Sequence, residues 1–289
     1  MFKSVARLVL SLTCVCASSM TAYVSAGHAA STEDMKVQRV TEIYGNVTID
    51  WSEGVVRVIG VGTPPDRGTL SQKQLMAERS AASDAYRQLT DVLSNIRVNS
   101  ETIVRDYTRE SDTLKSYLQA LIKGASKLDQ RYLDDGTIEV EMAVKLYATK
   151  GLSGILQPQK HIKPPIPVTE EPDRNPGDYS GVIIDCRGLG LEPAMSPAVM
   201  SQTGGEVYLG TVKVEPDFVI TQGIVGYAYS LAQARQNVRV GAKPLIIKGL
   251  SATGSFRTDV IISKEDVRRL LGLDASNGVL RQARVILVK

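Results

Sequence analysis

Val55-Val56-Arg57-Val58-Ile59-Gly60-Val61-Gly62 is dominated by β-branched residues and reads as a strand. A second β-rich run, Glu42 to Asp50, precedes it, and Trp51-Ser52-Glu53-Gly54 lies between the two as a turn, so the pair predicts a hairpin. Beyond the loop Thr63-Pro64-Pro65-Asp66-Arg67-Gly68 the period changes. From Ser71 to about Ser94, residues Leu75, Ala82, Ala85, Leu89, Val92 and Ile96 recur at spacings of three and four, the signature of an amphipathic helix. Ala77, Ala81 and Ala85 stand four apart on this helix and form a narrow face suited to close packing on a sheet or another helix. The stripe reads as core rather than as a cofactor site.

Further along, Ile96 to Tyr107 is expected to be a strand and Ser111 to Ala125 a helix with Leu114, Tyr117, Leu118 and Leu121 on one face. Lys127 to Leu133, the turn Asp134-Asp135-Gly136, and Thr137 to Tyr147 form a hairpin whose second arm alternates strictly through Ile138, Val140, Met142 and Val144. The order β-β-α-β-α-β-β predicts an α+β sandwich with helices on one face of a mainly antiparallel sheet.

Gln157 to Pro176 contains Pro158, Pro164, Pro165, Pro167, Pro172 and Pro176, half of all the prolines, and cannot supply a regular ladder of hydrogen bonds. It reads as a linker in extended polyproline geometry, or alternatively as an ordered strap over one domain. The expected organisation is a signal peptide over 1–30, an α+β domain over 31–151, a proline-rich linker over 152–177 and a second α+β domain over 178–289. In the second domain the strand expectations are Gly181–Cys186, Val207–Val214, Leu245–Leu250, Thr258–Ser263 and Ala283–Val288. One helix is expected after Ser263, where Asp266 three residues on resembles a capping box, and another from Ser230 to Gln236.

The first thirty residues carry Lys3 and Arg7, an apolar run from Leu8 to Ala17, and a small-residue exit at Ala26-Gly27-His28-Ala29-Ala30, the layout of a cleavable secretory signal. Neither Cys14 nor Cys16 sits in a convincing lipobox, so cleavage after Ala26, Ala29 or Ala30 is expected and the protein is placed in the periplasm. Losing Lys3 and Arg7 with no acid lowers the net charge from +3 to +1. No basic run tracks a phosphate backbone, and with three Phe and one Trp there are few stacking platforms, which argues against nucleic acid as a partner.

Processing also leaves His161 as the only histidine and Cys186 as the only cysteine. Cys186 ends the apolar run Val182-Ile183-Ile184-Asp185 and reads as an inert core thiol. Arg187-Gly188-Leu189-Gly190 superficially resembles a dinucleotide loop, but Pro193 and Pro197 follow where a helix is needed, so the glycines are expected to serve a sharp turn. Asp134 with Asp135 reads as turn chemistry, Glu139 with Glu141 as a solvated strand face, and Asp185 with Arg187 as a structural ion pair. No catalytic, cofactor-binding or metal-ligating residue is assigned, no cofactor is expected, and the chain is read as non-enzymatic.

Gly45-Asn46-Val47-Thr48-Ile49-Asp50-Trp51, Val58 to Pro65, the helix Ala77 to Leu89 and Ile96 to Thr102 together resemble the Lpp-twenty-type outer-membrane lipoprotein domain family, whose relatives include flagellar basal-disc and outer-ring proteins. The resemblance covers roughly residues 42–147. It implies a structural envelope protein at the outer membrane, held there peripherally. Such a protein would self-associate as a homo-oligomer, in a ring or disc with other envelope or flagellar basal-body proteins. The alternative expectation is a periplasmic binding or adaptor module for a small ligand, peptidoglycan or a partner protein.

Overall fold

The computed structural model describes residues 38–156 and 166–289. The expected signal peptide with Cys14, Cys16 and His28, and residues 157–165 of the expected linker with His161, lie outside the described residues. The fold is α+β, as the patterning predicts. Its first module contains β1 (Thr41–Tyr44), β2 (Val47–Asp50), β3 (Val55–Gly62), α1 (Leu70–Ser94), α2 (Val104–Glu110), α3 (Asp112–Lys123), β4 (Ser126–Tyr132), β5 (Ile138–Lys145) and α4 (Leu152–Leu156). The strands form one five-stranded antiparallel sheet in the order β1-β2-β3-β5-β4.

Helix α1 begins at Thr69, whose hydroxyl accepts from the Gln72 N–H while the Gln72 side chain accepts from the Thr69 N–H, a reciprocal cap. It lies across β3 and β5 with Ala77, Ala81 and Ala85 fully buried. The contact is backbone against backbone. A Cβ placed on Gly60 would fall 2.1 Å from the Ala81 carbonyl oxygen, and one on Gly62 2.0 Å from that of Ala77. The small residues on both partners are therefore one packing device: glycine on the strand admits the alanine face of the helix. The opposite face of the sheet carries paired charges, including Arg131 with Glu139 at 3.2 Å, as expected of an antiparallel sheet with one wet side.

Two expectations in this module need correction. The run Glu42–Asp50 is two strands rather than one, because Gly45 takes a positive φ of 58° and folds β1 back on β2. The run Ile96–Tyr107 is not a strand. Asn99 Oδ1 accepts from the N–H groups of Glu101 and Thr102 and turns the chain, and Asp106 caps the Ile103 N–H to start α2. The β pairing of this run is an isolated antiparallel bridge between two of its own residues, Arg97 and Ile103.

The second module contains β6 (Gly181–Asp185), β7 (Val199–Ser201), β8 (Glu206–Tyr208), α5 (Pro216–Gln222), β9 (Gly226–Ala228), α6 (Leu231–Gln236), β10 (Pro244–Lys248), β11 (Ser251–Thr253), β12 (Asp259–Ile262), α7 (Lys264–Asn277) and β13 (Val285–Val288). Strands β10-β6-β13-β9 form a wholly parallel sheet, buried on both faces, which explains the unbroken apolar runs at Val182–Ile184 and Val285–Val288. A mixed sheet, β11-β12-β7-β8, completes the module. The expected strand Val207–Val214 stops at Tyr208, where Leu209 adopts a positive φ of 78°. Short β7, β9 and β11 and helix α5 carry too few residues to show a period in sequence. Ser263 caps α7 as expected, accepting from the Asp266 N–H at 3.1 Å.

One apolar core runs through both modules, from Val40 and Trp51 to Val285 and Leu287. Residues on the 166–176 side of the proline-rich stretch follow the second module: Glu206 N–H donates to the Ile166 carbonyl at 2.7 Å and Asp173 N–H to that of Arg268 at 2.9 Å.

Candidate functional site

The residues weighed for chemistry in the sequence do not gather into one site among the described residues. Cys186 is 1% exposed, and burial pushes its thiol up to about 12. Asp185 and Arg187 form a two-bond ion pair, at 2.8 and 2.7 Å, that holds the carboxyl below its usual range. Gly188 and Gly190 both take positive φ in a turn, and no helix follows. Asp135 accepts from the Thr137 N–H inside the β4–β5 turn, and Glu139 is paired with Arg131. Among the described residues no group of three His, Cys, Asp or Glu side chains stands together, and no helix is long and apolar enough to cross a membrane.

The features that sequence reading missed gather where the modules meet, around Trp51. Its indole is 2% exposed and meets the Tyr227 ring edge-on, centroids 5.9 Å apart. Its Nε1–H donates to Glu42 at 2.8 Å, the Tyr44 hydroxyl donates to the same carboxylate at 2.6 Å, and Arg97 pairs with it from a third side. The Glu42 bond pushes the Tyr44 hydroxyl up. Arg97 continues the seam, its Nε–H donating to the Pro193 carbonyl at 2.8 Å. The chain from Arg97 to Ser100 then accepts from Met195, Ser196 and Phe256 N–H groups at 2.7 to 3.0 Å. The backbone of the first module thus binds the second directly.

Trp51 walls two cavities, each of about 530 Å³. The first is a groove where β1 and β2 overhang the last turns of α1, with Val47, Ile49, Val92 and Ile96 as an apolar floor. The second opens between the Trp51–Gly54 turn, Tyr147, the C-terminal end of α5 and the segment Asn237–Arg239. Here Arg239 is a partly exposed residue whose guanidinium is buried deeply enough to lower its pKa. Tyr208 and Tyr227 around it are satisfied by the carbonyls of Ile224 and Ala194, at 2.7 and 2.9 Å. The Tyr147 hydroxyl, buried and raised by that burial, has no hydrogen-bond partner among the described residues. A single tryptophan in a glycine-containing turn was the one cue the sequence offered to this region.

The family defined on the second domain of Treponema pallidum Tp0624 matches residues 181–289, which is the second module from β6 to the C-terminal strand. The match lies wholly outside residues 42–147, on which the resemblance to the Lpp-twenty type rests. No curated protein matches the chain.

Proposed function

We propose that this is a non-enzymatic structural protein of the cell envelope, exported to the periplasm and working at the outer membrane as a self-assembling ring or scaffold subunit. The observation that carries the proposal is the pair of open edges on the five-stranded sheet. β1 bounds it on one side, with Ile43 68% exposed beside Tyr44, and β4 on the other, with Tyr132 64% exposed beside Leu128. Solvent-facing apolar side chains on an unpaired edge invite strand addition. Because the two edges are different strands on opposite sides of one sheet, contact between them is heterologous, the kind that closes into rings. The register shift between Lys127 and Asp129 bends β4 and discourages indiscriminate pairing there. The secretory N-terminus and the Lpp-twenty resemblance support the location.

Light scattering of residues 31–289 across concentration, with negative-stain images of the same sample, tests this. A discrete oligomer with rotational symmetry is expected. A monomer at every concentration overturns it and favours a binding or adaptor module.

A further inference from the structure

Arg239 is a half-buried residue whose guanidinium has no acidic partner among the described residues. The three described hydrogen bonds of the guanidinium run to backbone carbonyls: Nη1 donates to Gly223 and Ala283, at 3.2 and 3.1 Å, and Nη2 donates to Gln222. A guanidinium has five N–H donors. Nε–H and one Nη2 hydrogen therefore remain, on neighbouring nitrogens of the same fork. The space beside Nε is kept open by Gly226, where a Cβ would lie 3.1 Å from that nitrogen and 3.3 Å from Cδ. Arg239 and Gly226 both line the cavity beside Trp51.

Tyr147 lines the same cavity and brings a buried hydroxyl without a partner. Its ring is clamped on both sides by glycine. A Cβ on Gly54 would fall 2.5 Å from it and one on Gly223 2.4 Å. The ring is thus positioned rigidly, and its hydroxyl is left without a partner among the described residues. Of the other charges on the wall, Glu53 is paired at 2.7 Å with both Arg39 and Arg57, while Arg284 adds a second cation. The cavity is net positive, and its volume suits a small organic molecule.

We infer that this cavity is a binding site for a small carboxylate, held by the Nε–Nη2 edge of Arg239 and by the Tyr147 hydroxyl. A planar monoanion matches the geometry: two parallel N–H donors take its two oxygens, and the phenol donates a third bond. A phosphate dianion would bring a second charge and a third oxygen, for which the wall offers only Arg284, an exposed residue already turned to the Ser180 carbonyl at 3.4 Å. The site is independent of the sheet edges that carry assembly, so either idea can fail without the other.

Trp51, the only tryptophan, walls the cavity and serves as the reporter. Sodium benzoate is titrated into the protein of residues 31–289 against sodium chloride at equal ionic strength. Trp51 emission is followed with excitation at the red edge, and the Arg239 Nε–H resonance by ¹⁵N correlation spectra. Saturable changes in both, with benzoate alone, are expected. Tyr147→Phe keeps the ring and should weaken binding about tenfold, the loss of one hydrogen bond to a charged group. No saturable response, or a response shared by chloride, overturns the site. Unchanged affinity in Tyr147→Phe overturns the role of the hydroxyl. Binding of inorganic phosphate in preference to benzoate overturns the carboxylate assignment.

Discussion

The carboxylate of Asp84 on α1 accepts the backbone N–H of Val61 on β3 at 3.1 Å. β2 pairs with β3 only from Val55 to Val58, so the far half of the central strand would lack partners on that side. Gln88, one turn further along α1, donates to the Ile59 carbonyl at 3.0 Å and to Asp84 at 2.7 Å. Two helix side chains thus complete a ladder that a strand leaves unfinished, which satisfies the requirement that backbone groups in a packed layer find partners.

This relationship makes stability depend on acid. Burial raises the Asp84 carboxyl, but the bonds from Arg87, the Val61 N–H and Gln88 outweigh it and hold the group below its ordinary value. A carboxyl depressed in the folded state stabilises fully above its unfolded pKa, about 4, and loses that contribution as pH falls through the lower folded value. Asp84→Asn is expected to cost about 1–3 kcal/mol at pH 7 in urea unfolding. The gap between variant and parent should close as pH drops below about 4. A gap that stays constant with pH would contradict this account.

Gly60→Ala places a methyl group against the Ala81 carbonyl and the Ala85 nitrogen, both backbone atoms of α1. The helix cannot yield as a flexible side chain would. Destabilisation of about 3 kcal/mol or more is expected, at the upper end of overpacking costs, with a lower midpoint in thermal unfolding. A neutral result would show that α1 can ride outward freely.

Glu42→Ala strips Trp51, Tyr44 and Arg97 of their common acceptor. Glu42 and Arg97 side chains are 12% and 20% exposed, so the pair is largely out of water. Loss of roughly 2–4 kcal/mol is expected, because a buried indole N–H is left unmet and Arg97 keeps only Glu192, at 3.6 Å, as an acidic partner. Unfolding curves followed by Trp51 fluorescence and by circular dichroism should then separate if the seam holds the modules together, and coincide if it does not.

Ile43→Lys and Tyr132→Lys each place a charge on one open edge of the sheet. If assembly uses those edges, either variant should lower the mass seen by light scattering, while stability in urea shifts by no more than about 0.5 kcal/mol, as for exposed sites. Assembly that survives both substitutions would move the interface elsewhere.

Cys186 should resist thiol reagents in the native state and react only at the rate of unfolding, since a thiol pushed up to about 12 is scarcely ionised at neutral pH. Rapid labelling in buffer would show that its strand opens locally.

Local chemistry alone settled much of this protein. The helix from Leu70 to Ser94, the Asp-Gly hairpin ending in Ile138–Lys145, the cap at Ser263 and the apolar runs at Val182 and Val285 are all legible, because period, turn residues and capping act over a few residues. The alanine face of α1 even announced its close packing. What the sequence left open depends on distant partners. It does not say that Asn99 turns the chain where a strand was expected, or that β6 and β13 lie side by side in a parallel sheet. Nor does it gather Glu42, Trp51, Arg97 and Tyr227 at one seam, or bring Arg239 and Tyr147 to the wall of one cavity. Those outcomes are set by which surfaces must be buried together, and burial is a property of the whole fold rather than of any segment.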